Sequence, residues 1–71
     1  MENQFKGTNM IFVASFELID EQHGIVEIYD KNGHWQATHT VHDSKPKEAG
    51  FAWAEHYAEL HDGQLEAFDS I

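Results

Sequence analysis

The fold of this chain is decided by residues 25–42, which read IVEIYDKNGHWQATHTVH. Apolar and polar side chains alternate on both sides of Asn32 and Gly33, and a period of two is typical of β-strands. Asn-Gly between two such runs is the strongest short-range signal for a tight hairpin, because both residues tolerate the left-handed backbone conformation. We therefore predict two antiparallel strands over residues 25–29 and 34–42, with Trp35, Ala37, His39 and Val41 on one face.

Two further strands are predicted outside this hairpin. Residues 10–19 carry apolar groups on both faces of a period-two pattern, which suits a central strand, and a turn ending at Gly24 follows them. Residues 64–68 alternate again and predict a short fourth strand, antiparallel to its neighbour or at the edge of the sheet.

A helix is predicted over residues 45–61. Ser44 is a suitable N-cap, Pro46 is tolerated in the first turn, and Gly63 suits a left-handed residue after the helix. The stripe expected to pack on the sheet consists of Ala49, Ala52, Trp53, His56 and Leu60, with Tyr57 at its edge. The order β-β-β-α-β predicts an α+β fold, a two-layer sandwich of one helix on an antiparallel sheet.

The composition predicts a single domain over residues 1–71, with residues 1–9 as a flexible arm. Hydrophobic residues reach 41% and aromatic residues 13%, which is enough for a folded core. The first residues lack the basic and apolar regions of a signal peptide, and no run approaches the ~20 apolar residues of a membrane helix. We expect a soluble protein that acts in the cytoplasm of a bacterial cell.

The charge balance excludes several classes of partner. Thirteen aspartates and glutamates stand against four lysines and no arginine, so the formal net charge is −9. Such a chain repels the phosphates of nucleic acids and the anionic surfaces of membranes. A magnitude of about 2–8 is sufficient to keep a small domain soluble, so the excess of acid favours a basic protein as partner.

The predicted partner-binding surface is an acidic stripe on the helix, joined by two acids from turns. The stripe follows helical spacings of seven, four and three residues, whereas a plain solvated helix face is the alternative interpretation. The predicted partner-binding residues are Glu48, Glu55, Glu59, Asp62, Asp30 and Asp43.

Two apolar patches are candidates for a homodimer interface. The first lies on the helix, opposite the predicted core stripe, and consists of Phe51, Ala54 and Ala58. The second lies on the sheet face away from the helix and consists of Ile11, Val13, Ile25 and Tyr29.

Neither catalysis nor a cofactor is expected. The chain has no cysteine, no Gly-rich phosphate loop and no strand-turn-helix elbow around a serine, so we predict that it is not an enzyme. Its six histidines do not follow metal-binding spacings, since His39 and His42 point to opposite faces of a strand. We therefore expect no metal, although a site assembled from His39 and His56 stays open as an alternative.

Two resemblances bear on function. The segment 24–60, with its Asn32-Gly33 turn and Trp35, resembles the arm-type DNA-binding domain of phage integrases and double-stranded-RNA-binding modules. Those families place basic residues where this chain has Glu27, Asp30 and Asp43, so nucleic-acid binding does not carry over.

In size, charge and element order the whole chain is similar to small acidic host-takeover proteins of lytic phages. Some of these act as DNA mimics that block nucleoid proteins such as HU, and others inhibit CRISPR effectors or RNA polymerase. The resemblance implies a non-enzymatic DNA mimic that occupies the DNA-binding surface of a basic host protein. The alternatives are an inhibitor of a CRISPR effector or RNA polymerase, a module that recognises its partner through apolar patches, and a metal-binding protein.

Opposite salt dependences are predicted for partner binding and self-association. Salt screens attraction to a basic partner, and it also screens the repulsion between two chains of charge −9. Raising the salt concentration should therefore weaken partner binding and strengthen the homodimer, measured by titration and by sedimentation. A monomer of 8.2 kDa at high protein concentration and moderate salt would contradict the dimer.

Overall fold

The computed structural model describes residues 10–71, so the predicted arm over residues 1–9 lies outside the described part of the chain. The elements follow the predicted order and confirm an α+β fold with one helix packed on a sheet. They are β1 (Met10–Asp20), β2 (His23–Asp30), β3 (Trp35–His42), α1 (Pro46–Leu60) and β4 (Gly63–Ser70).

The four strands form one sheet in the order β3-β2-β1-β4. β2 is antiparallel to β1 and to β3, whereas β4 lies at the edge and is parallel to β1, with Phe68 beside Ala14. The sheet is therefore mixed, and the prediction of an antiparallel sheet is wrong for this one pair. The reason is the helix: α1 returns the chain from the end of β3 to the end of the sheet where β1 begins, so β4 runs in the same direction as β1.

The hairpin that joins β2 and β3 is confirmed. Gly33 has φ of 86°, the left-handed conformation that the turn requires, and its N–H donates to the carbonyl of Asp30 at 3.0 Å. A β-bulge after Ile28 places Trp35 opposite Tyr29, so Trp35 lies on the face of Tyr29 and not, as predicted, on the face of Val41.

The core lies between α1 and one face of the sheet. Alternation along β1 and β2 turns every second side chain toward α1, as the period of two predicts. No polar or charged residue is buried among residues 10–71. The buried apolar residues are Phe12, Ala14, Phe16, Val26, Ile28, Val41, Ala54 and Ala58.

The helix packs on the sheet through a different face from the predicted one. Ala52, His56 and Leu60 are exposed, so the predicted stripe is wrong at these positions. The buried residues of α1 are Pro46, Gly50, Ala54 and Ala58, with Ala49, Trp53 and Tyr57 partly buried. Small side chains let the helix axis approach the large rings that the sheet supplies, and this favours the small-residue face over the one with Leu60.

This rotation of α1 removes the first candidate dimer patch. Ala54 is 0% exposed and Ala58 is 1% exposed, so neither is available to a second copy of the chain. Phe51 remains 42% exposed, and its ring meets the ring of Phe68 edge-on at 5.3 Å.

Both ends of α1 differ slightly from the prediction. The N-cap is Lys45 and not Ser44, and the Lys45 N–H donates to the Asp43 carboxylate at 2.8 Å. After the helix, Asp62 adopts the left-handed conformation with φ of 55°, and Gly63 already belongs to β4. Asp tolerates this conformation because its short polar side chain can form local hydrogen bonds.

The close approach at Gly50 predicts that Gly50→Ala destabilises the protein. A Cβ there would lie 2.9 Å from Phe16 Cδ1 and Val26 Cγ2, and overpacking of this kind costs about 1–3 kcal/mol. The gain in helix propensity is only about 1 kcal/mol, so we expect a lower free energy of unfolding in urea.

Ala52→Gly is the matched control, because Ala52 is an exposed helical position where propensity alone acts. If Gly50→Ala raised stability by as much as Ala52→Gly lowers it, the close packing of α1 on the sheet would be contradicted.

Candidate functional site

The side of α1 that faces away from the sheet carries three glutamates. Glu48, Glu55 and Glu59 are exposed and follow helical spacings of seven and four residues. Because the buried face of α1 differs from the predicted one, these residues lie on the solvent-facing side of the helix, with Glu55 and Glu59 toward the flank next to β4. We call Glu48, Glu55 and Glu59 the acidic helix face.

The acidic helix face is not neutralised by the described residues. Within residues 10–71 the contacts between carboxylates and basic side chains join Asp20 to His23 at 2.8 Å and Asp30 to His34 at 3.4 Å, both within turns, and each is an ion pair only when its histidine is protonated. Neither Lys45 nor Lys47, the lysines at the start of α1, forms an ion pair with a described carboxylate. The charge of the three glutamates is therefore not balanced by an ion pair within residues 10–71.

Asp62 completes the predicted stripe from a position outside the helix. It is exposed and lies in the connection between α1 and β4. The left-handed backbone of Asp62 turns the chain from α1 into β4. The position of this residue is therefore set by the connection and not by the helical period.

The two predicted turn acids already hold backbone groups. The Asp30 carboxylate accepts hydrogen bonds from the N–H groups of Asn32 and His34, each at 2.9 Å, and so closes the hairpin. The hydrogen bond from the His34 backbone, with that from Asn32, holds the pKa of Asp30 below its usual value. Asp43 likewise accepts from the Lys45 N–H at the start of α1. Both acids add charge to the surface, but their carboxylates are held in place by hydrogen bonds to the backbone of the hairpin and of the start of α1.

A groove runs between α1 and the edge strand β4. It has a volume of about 230 Å³ and is lined on the helix side by Glu55, Glu59 and the buried Ala58, and on the strand side by residues that include Leu65. Gly63 and Gln64 line the end where β4 begins. Sequence reasoning missed this groove because it depends on β4 lying next to the helix, for which no local pattern exists.

The other face of the sheet has no helix over it within residues 10–71. Ile11, Val13, Ile25 and Tyr29, the second candidate dimer patch, are half-buried there and lie on neighbouring strands, as predicted. Trp35 lies on the same face, because the bulge in β3 places it opposite Tyr29. It is 60% exposed, and its Nε1–H donates to Thr38 Oγ1 at 2.8 Å. We call these five residues the open sheet face. Trp35 was missed because a β-bulge leaves no signal in the alternation.

The histidines make aromatic contacts. His39 stacks on Trp53 with ring centroids 4.4 Å apart, and His23 stacks on His42 at 4.3 Å. His56 is exposed on α1. Among residues 10–71 no group of three or more histidine, aspartate or glutamate side chains is arranged to hold a metal ion.

Comparison with protein families, curated proteins and solved structures finds no match to this chain. The helix of the described segment is too short and too polar to cross a membrane. The features that bear on function are the acidic helix face, the open sheet face and the groove between α1 and β4.

The hydrogen bonds to Asp30 predict a stability that depends on pH. The pKa of Asp30 is lower in the folded chain than its ordinary value of 3.8, so its contribution is present above that pH and is lost as the pH falls through the folded pKa. Asp30→Ala should therefore unfold at lower urea concentration than the parent near pH 7, and the difference should shrink below about pH 3.8.

Asp30→Asn is the control, since it keeps one oxygen acceptor for the turn but does not titrate. A difference between Asp30→Ala and the parent that stays constant from neutral to acid pH would contradict the role assigned to the carboxylate.

Proposed function

We propose that this protein is a non-enzymatic DNA mimic that occupies the nucleic-acid-binding surface of a basic protein, with the nucleoid protein HU as the best candidate, and inhibits its DNA binding. The observation that carries this proposal is the acidic helix face. It places three exposed glutamates without cationic partners among the described residues on one rigid helix of a chain with net charge −9.

The charge of one helix is too low to imitate DNA by itself. Glu48 and Glu59 are eleven residues apart, about 16 Å along a helix, and duplex DNA carries about one charge per 1.7 Å over such a length. Three carboxylates therefore replace about a third of the phosphates. The remaining charge comes from acids around the rim of the domain, of which Glu66 and Asp69 on β4 and Asp62 are exposed.

A homodimer through the open sheet face is part of this proposal. Burial of Trp35 and its four apolar neighbours would enlarge a small core, and α1 lies on the opposite side of the sheet, so both acidic helix faces would stay accessible. Two sheets packed face to face place the two helices on opposite outer surfaces. Such a dimer would carry two separate acidic surfaces and would bind two partner molecules. It would not join the two acidic helix faces into one continuous surface that imitates a longer piece of DNA.

Electrostatic attraction would determine how fast the complex forms. Complementary charge steers diffusional encounter and raises the association rate, and this effect falls as ionic strength rises. A cytoplasmic protein that must compete with DNA for the same basic surface benefits from such steering, because DNA attracts that surface by the same means.

One observation favours a second function. Trp35 is 60% exposed on the open sheet face, and exposed aromatic residues are enriched at the centre of protein interfaces. A module that recognises its partner through this face would bind with little dependence on salt.

Charge reversal on α1 tests the leading proposal. Glu55→Lys combined with Glu59→Lys should weaken inhibition by at least about tenfold, because two attractive contacts become repulsive. The measurement is displacement of a fluorescent DNA duplex from HU by increasing amounts of this protein.

Glu17→Lys with Glu21→Lys is the charge-matched control, since both residues are exposed but lie away from α1. Equal loss in both double variants would assign binding to net charge alone, and retained inhibition by the α1 variant would remove the acidic helix face from the mechanism.

A further inference from the structure

β4 has an outer edge that no described strand covers. The sheet order β3-β2-β1-β4 gives β4 a single neighbour within residues 10–71. Every second residue of an edge strand turns its backbone N–H and C=O outward, and such an edge can take up another extended chain as an additional strand.

The groove between α1 and β4 is lined by residues 63–65 at the beginning of this edge strand. Side chains of an added strand that point toward α1 would pass Glu55 and Glu59 on the helix and Leu65 on β4. One turn earlier on α1, Phe51 meets Phe68 of β4 and remains 42% exposed. The flank of α1 above the edge is therefore acidic at one end and aromatic at the other.

The spacing of these two parts matches an extended chain. Phe51 and Glu55 are four residues apart, which is about 6 Å along a helix. Alternate residues of a β-strand lie on the same face about 6.7 Å apart. Two side chains separated by one residue would therefore reach the acidic and the aromatic parts at the same time.

We propose that the edge of β4 binds a short extended segment of the partner as a fifth strand. An arginine or lysine of this segment faces Glu55 and Glu59, and an apolar side chain two residues away packs on Phe51 and Phe68. The proposal rests on the proposed function, because it specifies how a basic partner is held.

Charge decides between this occupant and a second copy of the chain. Pairing of β4 with another β4 would bring Glu66 and Asp69 of both copies, together with Glu55 and Glu59, to one boundary without cations. A basic segment would instead neutralise these acids. The bulge at Glu66 interrupts regular pairing along β4, which suits a short segment better than a long strand.

The opposite edge of the sheet does not offer the same site. The exposed residues of β3 include Thr38 and Thr40, which are neutral, and on that flank of α1 Trp53 is already stacked on His39. A cationic side chain would find no carboxylate pair there, so the acidic groove distinguishes β4 from β3.

The test uses the blocked peptide Thr-Arg-Thr-Leu-Thr-Arg-Thr, which presents an arginine two residues from leucine in either direction along β4. Binding to the full chain is measured by titration calorimetry, and the site by amide chemical shifts. We expect binding, with the largest shifts in residues 63–70. No binding at about 1 mM peptide, or shifts confined to the open sheet face, would overturn the proposal.

Backbone methylation separates strand addition from simple charge attraction. One peptide carries N-methyl groups on both arginines and the leucine, and a second carries them on the last three of its four threonines. Because only alternate N–H groups of an added strand face β4, one of these peptides should lose binding and the other should retain it. Equal affinities of the two methylated peptides would contradict strand addition.

A pair of protein variants locates the arginine. Glu55→Gln with Glu59→Gln should weaken binding of the peptide by about tenfold or more, because charge-assisted hydrogen bonds to arginine are lost. Glu17→Gln with Glu21→Gln removes the same charge from exposed positions outside the groove and should have a much smaller effect. Equal effects of the two pairs would place the arginine elsewhere.

The outcomes distinguish this inference from the proposed function. If the peptide does not bind while the protein still displaces DNA from HU, the strand-addition site is wrong and the DNA-mimic proposal stands. If the peptide binds as expected but DNA is not displaced, the edge of β4 is a site for basic segments and the DNA-mimic proposal fails.

Discussion

The packing of the small-residue face of α1 on the sheet determines where the other surfaces of this molecule lie. Gly50 lies so close to Phe16 and Val26 that a Cβ would have to displace them, and Ala54 and Ala58 are fully buried. The large buried side chains, Phe12, Phe16, Val26 and Ile28, all come from the sheet, whereas the fully buried side chains of the helix are alanines. This contact fixes the rotation of α1, and with it the direction of the acidic helix face and the position of Phe51 over Phe68.

The carboxylates of the chain divide into two groups with different physical roles. One group accepts hydrogen bonds from backbone N–H groups in the turns and at the start of α1, and consists of Asp20, Asp30 and Asp43. These carboxylates satisfy N–H groups that have no backbone acceptor there. The glutamates of α1 have no such role, and their mutual repulsion is not relieved by a described lysine. The repulsion between these glutamates does not contribute to folding. A basic partner would relieve it, and this relief would favour binding.

The two sides of the sheet have opposite character, and this allows two kinds of association in one small domain. One side carries α1 with its acids, and the other carries Trp35 and its half-buried apolar neighbours. Apolar contacts strengthen and ionic contacts weaken as salt is added. Association through the two surfaces would therefore change in opposite directions with salt concentration. The edge of β4 lies between them, and within residues 10–71 no strand pairs with its outer side.

Strands, turns and the helix follow from periodicity and local backbone preference, so the amino-acid pattern alone was enough to predict them. The Asn32-Gly33 hairpin, the strand order along the chain and the presence of glutamates on an exposed helix face were all predictable in this way. Three features emerge only in the folded molecule: the face of α1 that is buried, the parallel pairing of β4 with β1, and the bulge that turns Trp35 to the open sheet face. Each of these depends on packing between residues far apart in the chain, and α1 offers two faces of similar apolar content, so its own pattern could not choose between them.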